Sequence, residues 1–262
     1  MSLVKVSAGS EKKRYYHYYA QGLAPLPEEF QEKIKNAAIY NEGGLALKDR
    51  SQFLEANATL PAKTGVYPLS EGGLLVASNM RVPNFTGEML YWYFPWQVLE
   101  PLRYAIWDPE DHVDNQVSDV DRQRILDPAI PVREKIWGVT FHAVEAMGGE
   151  SEKVDITFYN PADFGLDASS CEFLIASNSL LGEQKIPVVM LEALKKINGV
   201  NELHLRFWIG YQIIDGEAKY LLPPEIKIPA EVGLKLIEHN FREFNNLHTV
   251  LPSLYAEEKD NW

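Results

Sequence analysis

The sequence predicts an α+β fold, with a curved antiparallel sheet packed against one long C-terminal helix and a helical extension at the N-terminus. Three observations carry that prediction. Helical patterns come first, strand patterns then run from KIWGVTFHAVEAM to VNELHLRFWIG, and one long helical segment follows them. Helices and strands segregated in this way place the helices on one face of an antiparallel sheet. No Gly/Ser-rich or Pro-rich linker and no internal repeat divides the 262 residues. One compact unit is expected, with residues 1–80 as the extension and first strand or strands, and residues 81–262 as the core.

The elements follow in order. LPEEFQEKIKNAA reads as a helix with Pro and acidic residues in its first turn, and GLLVASNMRVPN as a strand. TGEMLYWYFPWQVLEPLRYAIW is a helical, aromatic-lined segment, with Thr86 as its N-cap and Pro95 and Pro101 as kinks or breaks. Strands KIWGVTFHAVEAM, KVDITFYN and CEFLIAS come next. VVMLEALKKI and VNELHLRFWIG flank Asn198-Gly199, a dipeptide suited to a two-residue hairpin turn because both positions tolerate positive φ. Pairing outward from the turn sets Leu194 opposite Leu203 and Met190 opposite Phe207. PAEVGLKLIEHNFREFNNLHTVL is the long helix, with Pro229 just inside its start.

Composition excludes several partners. A net charge of −12 argues against nucleic acid and anionic membranes, either of which would need a basic field. The single cysteine, Cys171, rules out an intrachain disulfide and points to a reducing, cytoplasmic setting. MSLVKVSAGSEKKR lacks the apolar core of a signal peptide, and no apolar run reaches the roughly 18 residues of a membrane span.

The segment DPEDHVDN raises the first question of chemistry, since His112 sits among acidic neighbours just after an aromatic-rich stretch. It reads either as a solvated loop or as part of a metal site. On the long helix, His239 and Glu243 stack four residues apart beside the apolar residues Val232, Leu236 and Leu247. Glu231, Lys235, Glu238, Arg242 and Asn245 form the polar arc. An inward His/Glu pair must be hydrogen-bonded, ion-paired or metal-bound; a plain His–Glu bridge satisfies this too. In KIWGVTFHAVEAM, alternation puts Trp137, Val139, Phe141, Ala143 and Glu145 on the inner face and His142 on the other. If the strand ends near Ala143, Glu145 lies in solvent. His112, Glu145, His239 and Glu243 make a set that suits zinc, iron or manganese. No spacing rule unites them.

MLYWYFPWQVLEPLRYAIWDPEDHVDN, GVTFHAVEAMGG, LHLRFWIG and HNFREFNNLHTVLPSLYAEE resemble, in order from about Met89 to Glu258, diacetylphloroglucinol hydrolase and its relatives, which include phloretin hydrolase. The resemblance implies a Bet v 1-like fold and a zinc-dependent hydrolase acting on carbon–carbon bonds in ketonic substances, between an acyl group and a phloroglucinol-type ring. Carried over by position, the zinc ligands fall on His112, Glu145, His239 and Glu243. Tyr104 and Asn115 fall on polar groups that hold the substrate's oxygens. One departure concerns a further histidine of the family on the first strand of the Asn-Gly hairpin. Met190 or a close neighbour stands there, and no histidine occurs between Ala143 and Leu203. His204 is nearby but faces away from Leu203, Leu205 and Phe207.

The resulting expectation is a zinc hydrolase that deacylates a small aromatic ketone of the acylphloroglucinol or phloretin type. Four protein ligands exceed the usual three of catalytic zinc, so the ion is five-coordinate or one carboxylate, Glu145 or Glu243, loosens to act as base. Tyr91 and Trp92 of the aromatic run, with Met190 and Phe207, are expected to line the ring pocket, although each aromatic also reads as plain core. A non-catalytic carrier of aromatic ligands and a zinc esterase are the alternative readings, and the sequence leaves a homodimer open.

Overall fold

Short helices come first: α1 (Tyr16–Ala20) and, within the Pro- and Glu-rich segment before residue 40, α2 (Glu28–Lys35). Glu28 and Glu29 lie in the first turn of α2 and Lys33 and Lys35 in its last, matching the helix dipole. The computed structural model describes residues 2–55, 61–146, 149–223 and 225–262. Strands β1 (Ala38–Ile39), β2 (Gly65–Pro68) and β3 (Leu74–Arg81) follow, then helices α3 (Gly87–Gln97) and α4 (Pro101–Ala105). Thr86 caps α3 by accepting from the Met89 N–H. Pro101 opens α4, where its missing N–H costs nothing. Pro95 sits inside α3 without ending it, so the break falls between Gln97 and Pro101.

The rest is largely strand: β4 (His112–Gln116), helix α5 (Asp119–Leu126), β5 (Thr140–Glu145), β6 (Glu152–Tyr159), β7 (Phe173–Leu181), β8 (Ile186–Ile197), β9 (Val200–Ile209), β10 (Tyr211–Ile214) and β11 (Glu217–Tyr220). Nine strands form one curved sheet in the order β1-β2-β3-β9-β8-β7-β6-β5-β4, and β10 pairs with β11 apart from it. Among the described residues, only the β1–β2 pair is parallel. Asn198 and Gly199 take φ of 50° and 83° in the β8–β9 turn, and the register sets Leu194 against Leu203 and Met190 against Phe207, as the sequence predicts.

Helix α6 (Ala230–Glu258) lies across the concave face. Val76, Met80, Met190, Leu194, Leu203 and Leu205 point toward it and share one core with Phe241, Phe244 and Leu247. Their neighbours Leu75, Ala77, Leu191, Ala193 and Trp208 point outward into a second core closed by Leu47, Phe53 and Leu54. Central strands covered on both faces are apolar along their length, which is why LLVASNM shows no alternation.

Three sequence expectations need correction. Trp137 and Val139 precede β5, because Gly138 takes φ of 79° in a turn. His112 and the residues after it form an edge strand where the sequence suggested a loop. Pro229 stands one residue outside α6, at its N-cap, and the helix runs on through Pro252 to Glu258. On its faces, Val232 is 42% exposed, whereas Asn245 is buried because its Nδ2 donates to the Ala24 and Pro25 carbonyls.

The contact of α6 with the sheet is closest at Gly233, where an added Cβ would sit 2.7 Å from Val66 Cγ2 and 2.9 Å from Val76 Cγ2. Helix propensity alone would make Gly→Ala favourable by about 1 kcal/mol. Gly233→Ala is nevertheless expected to destabilise the fold by about 1–3 kcal/mol, since it overpacks β-branched neighbours in the core. Urea unfolding checks the sign, and a gain in stability would show that helix and sheet can part at no cost.

Candidate metal centre and active-site cavity

The geometry of the site begins with a β-bulge. On β4, His112 pairs with Glu145, Asp114 with Val144 and Asn115 with Ala143, leaving Val113 as an extra residue. In a regular strand, residues three apart face opposite sides. The inserted residue cancels that rule, so His112 and Asn115 both stand opposite inward-facing partners, Glu145 and Ala143. Both are buried, while His142 points outward and bonds Asp155 at 2.8 Å.

Helix α6 brings the opposing groups. Glu243 Oε2 lies 3.3 Å from His112 Nε2 and 3.8 Å from His239 Nε2, and Glu145 Oε2 lies 4.0 Å from His239 Nε2. Donor atoms of His112, His239 and Glu243 all fall within 4.8 Å of one another. Two imidazoles and a carboxylate so arranged could hold a metal ion. The far nitrogens of the imidazoles are occupied: His112 Nδ1 meets the Tyr104 carbonyl at 3.3 Å, and His239 Nδ1 meets Asp111 Oδ2 at 3.3 Å. Such partners fix the tautomer and aim Nε2 at the centre. The Tyr104 ring stacks on His112 with centroids 4.0 Å apart, and its hydroxyl donates to Glu145 Oε1 at 2.5 Å.

Support beneath these groups comes from residues that the sequence reading did not single out. Of the acidic neighbours of His112, Asp111 orients the other imidazole, His239, 128 positions away. Asp108 shapes the loop by accepting from the Glu110 and Asp111 N–H groups. Asn246 Nδ2 donates to the Ile106 and Trp107 carbonyls, tying α6 to the chain just before this loop. Gln97 Oε1 accepts from Asn115 Nδ2 at 3.2 Å, so Asn115 Oδ1 is left buried without a partner among the described residues.

The cluster lies on a cavity of about 400 Å³, within the range that holds a small organic ligand. Tyr104, Asn115, Glu145, Met190 and Phe207 line it, as do Phe94 and Gln97 from α3. Tyr91 and Trp92 do not line it and were assigned there wrongly, because they leave the helix in other directions. The Tyr91 hydroxyl accepts from the Leu174 N–H, and Trp92 stacks on Trp96 and against Tyr255. Phe94 and Gln97, three residues apart, occupy the face of α3 turned to the cavity. The helical spacing of the aromatic run carries that signal, but not which face turns inward.

Electrostatics are set by burial and by crowded carboxyls. Burial and His239 hold His112 well below the usual histidine pKa. Burial opposes a charged His239, but the Asp111 hydrogen bond and nearby carboxylates outweigh it and raise its pKa. Burial, followed by Glu145 and the other carboxyls, raises Glu243 well above the carboxylate range. Burial and then Glu145 likewise raise the Tyr104 phenol. A further carboxyl, Glu192 on β8, also lines the cavity. Burial pushes it up to about 8, and its charge in turn raises Glu243. Its position was readable, since Met190 and Glu192 are two residues apart on one strand and share a face.

Fold and site together define an α+β protein with an internal ligand cavity and a buried His/Glu cluster able to take a metal. The chain belongs to the DAPG hydrolase PhiG domain family, which its residues 45–256 match. It is 37% identical to phloretin hydrolase of Eubacterium ramulus, over 99% of this chain and 96% of that one. It is 29% identical to 2,4-diacetylphloroglucinol hydrolase of a Pseudomonas species, over 95% and 90%. Among solved structures, that of Ara h 8.0201 matches with a TM-score of 0.42 and 10% identity, covering 70% of this chain and 99% of the other. The named relatives are hydrolases, and this chain is a member of that enzyme family.

Glu192 gives the fold a pH dependence. Its folded pKa of about 8 exceeds the ordinary value of 4.5, so the folded state binds more protons between those values. Its contribution to stability is therefore lost as pH rises from about 4.5 through 8. Glu192→Gln removes that loss. The melting temperature of the variant should gain on wild type as pH rises, by at least about 4 °C at about pH 9. Melting curves that stay parallel across this range would mean that Glu192 titrates like a solvated carboxyl.

Proposed function

We propose that the protein is a zinc-dependent hydrolase that cleaves the carbon–carbon bond between an acyl group and a phloroglucinol-type ring, giving a carboxylic acid and the free polyphenol. One observation carries this reading: His112, His239 and Glu243 converge beside the Tyr104–Glu145 pair on an aromatic-walled cavity. Similarity to hydrolases named for phloretin and diacetylphloroglucinol supports the substrate class. His112, His239 and Glu243 would hold the ion, with Glu145 beside them. When bound, zinc supplies Lewis-acid polarisation of an acyl oxygen and makes water more acidic.

The chain's own groups account for the remaining chemistry. Tyr104 places a hydroxyl beside Glu145, where it can hold an acyl oxygen. Asn115, its amide fixed by Gln97, turns Oδ1 to accept from a ring hydroxyl. Glu145 takes the proton of the attacking water, whose oxygen joins the acyl carbon. The bond to the ring then breaks with its electron pair left on the ring, and the ring carbon gains the proton that Glu145 took from the water. An aryl carbanion is a poor leaving group, so this step requires ortho and para hydroxyls that share the developing charge. Met190 and Phe207 make the facing wall apolar, which suits the flat face of the ring. No helix among the described residues is long and apolar enough to cross a membrane; we place the enzyme in the cytoplasm, acting on a freely diffusing aromatic ketone.

The test is incubation with phloretin, acetylated phloroglucinols and analogues lacking one ring hydroxyl, with products identified by mass spectrometry. Wild type is expected to carry about one zinc per chain, and His239→Ala to lose most of the metal together with turnover. Cleavage of simple esters alone would replace the proposed reaction by esterase chemistry, and binding without cleavage would mark a carrier. Tyr104→Phe is expected to keep its metal and lose about 10- to 1,000-fold in turnover, the scale of one positioned donor. Turnover within twofold of wild type would return Tyr104 to a packing role.

A further inference from the structure

Glu192 is a buried carboxyl that the mechanism above leaves unused. It is 3% exposed and lines the cavity, and its Oε2 has no hydrogen-bond partner among the described residues. Its surroundings on the strand wall are apolar. Ile175 of β7 and Leu205 of β9 flank it in register, and Met190 and Leu194 precede and follow it on the same face of β8. Nothing there offsets the cost of taking a carboxyl out of water. A leucine would pack better at this position, so the protein keeps a destabilising group where a ligand would sit. Asn115 Oδ1 on β4 is the matching case, a buried acceptor lining the same cavity without a partner. A ring carrying several hydroxyls would satisfy both, donating to Asn115 Oδ1 and exchanging hydrogen bonds with Glu192.

We infer that Glu192 recognises the substrate, entering the complex as a neutral carboxylic acid whose O–H is donated to a ring oxygen of the polyhydroxylated aromatic. This assignment rests on the proposed substrate class and extends it, since it gives a residue that selects for an oxygen-bearing ring. Its raised pKa, about 8, keeps the acid form predominant at neutral pH. A carboxylic acid held neutral in an apolar pocket is an effective hydrogen-bond donor. An ionised carboxylate would instead leave the oxygen of a keto-like ring tautomer without a donor.

The experiment is calorimetric titration of the full-length, metal-loaded protein with phloroglucinol, the uncleavable ring product, and with toluene, a ring of similar size that carries no oxygen. Wild type is compared with Glu192→Gln, which keeps a donor, and Glu192→Leu, which does not; near-ultraviolet circular dichroism confirms that each is folded. Glu192→Leu should weaken phloroglucinol binding about 10- to 100-fold, and Glu192→Gln less than about fivefold. For toluene, the loss in Glu192→Leu should shrink to less than about threefold, because a ring without oxygen offers the acid no partner to lose. Wild-type affinity in Glu192→Leu, equal losses for both rings, or a Gln variant as weak as the Leu variant would each overturn the assignment. Turnover of acylphloroglucinols by wild type tests the hydrolase reading separately. If turnover is absent while the binding pattern holds, the hydrolase reading fails and the role of Glu192 stands.

Discussion

Negative charge converging on a buried point is the constraint on which this structure depends. Asp108, Asp111, Glu145 and Glu243 gather around two imidazoles in the space between α6 and the sheet edge. A low dielectric magnifies their mutual repulsion. Protonation of Glu243 relieves part of it, and the Arg242 contacts to Asp111 and Glu110 relieve more. A divalent cation at the His112–His239–Glu243 triad would relieve the remainder and would return Glu243 to its ionised form. The arrangement makes physical sense as a receptacle for positive charge.

The fold serves that receptacle by fixing two surfaces against each other. Gly233 lets α6 approach Val66 and Val76, and Asn246 binds the helix to the carbonyls that precede the acidic loop. Helix position therefore sets how far His239 and Glu243 stand from His112 and Glu145. The strand wall carries the opposite character, with Met190, Phe207 and their neighbours offering apolar contact into which Glu192 and Ser179 intrude. One end of the cavity suits an oxygen-rich reacting group, and the wall suits a flat ring.

Much of this was legible in the residues. The Asn198-Gly199 turn fixed the β8–β9 register, and simple alternation turned Glu145 inward and His142 outward, as found. Helical periodicity placed His239 and Glu243 side by side, and the resemblance linked them to His112. Other features had no local signature. The role of Asp111 depends on a partner 128 positions away, and no spacing in DPEDHVD shows which imidazole it serves. The rotation of α3 depends on what its aromatic faces meet, so Tyr91 and Trp92 could not be told from Phe94 and Gln97. Glu192, by contrast, is legible: a lone acid in an apolar strand, on the same side as Met190, implies a buried carboxyl.

The extra residue in β4 has a further consequence, for the behaviour of the molecule among others of its kind. β4 ends the sheet, and a sheet edge is a row of open backbone groups onto which a neighbouring chain can add. Here that row is five residues long, broken by the irregularity at Val113 and carries Asp114. A short, kinked and acidic border is a poor template for growth. The irregularity that aims two side chains at the cavity thus also guards the protein against edge-to-edge aggregation, and straightening the strand would weaken both at once.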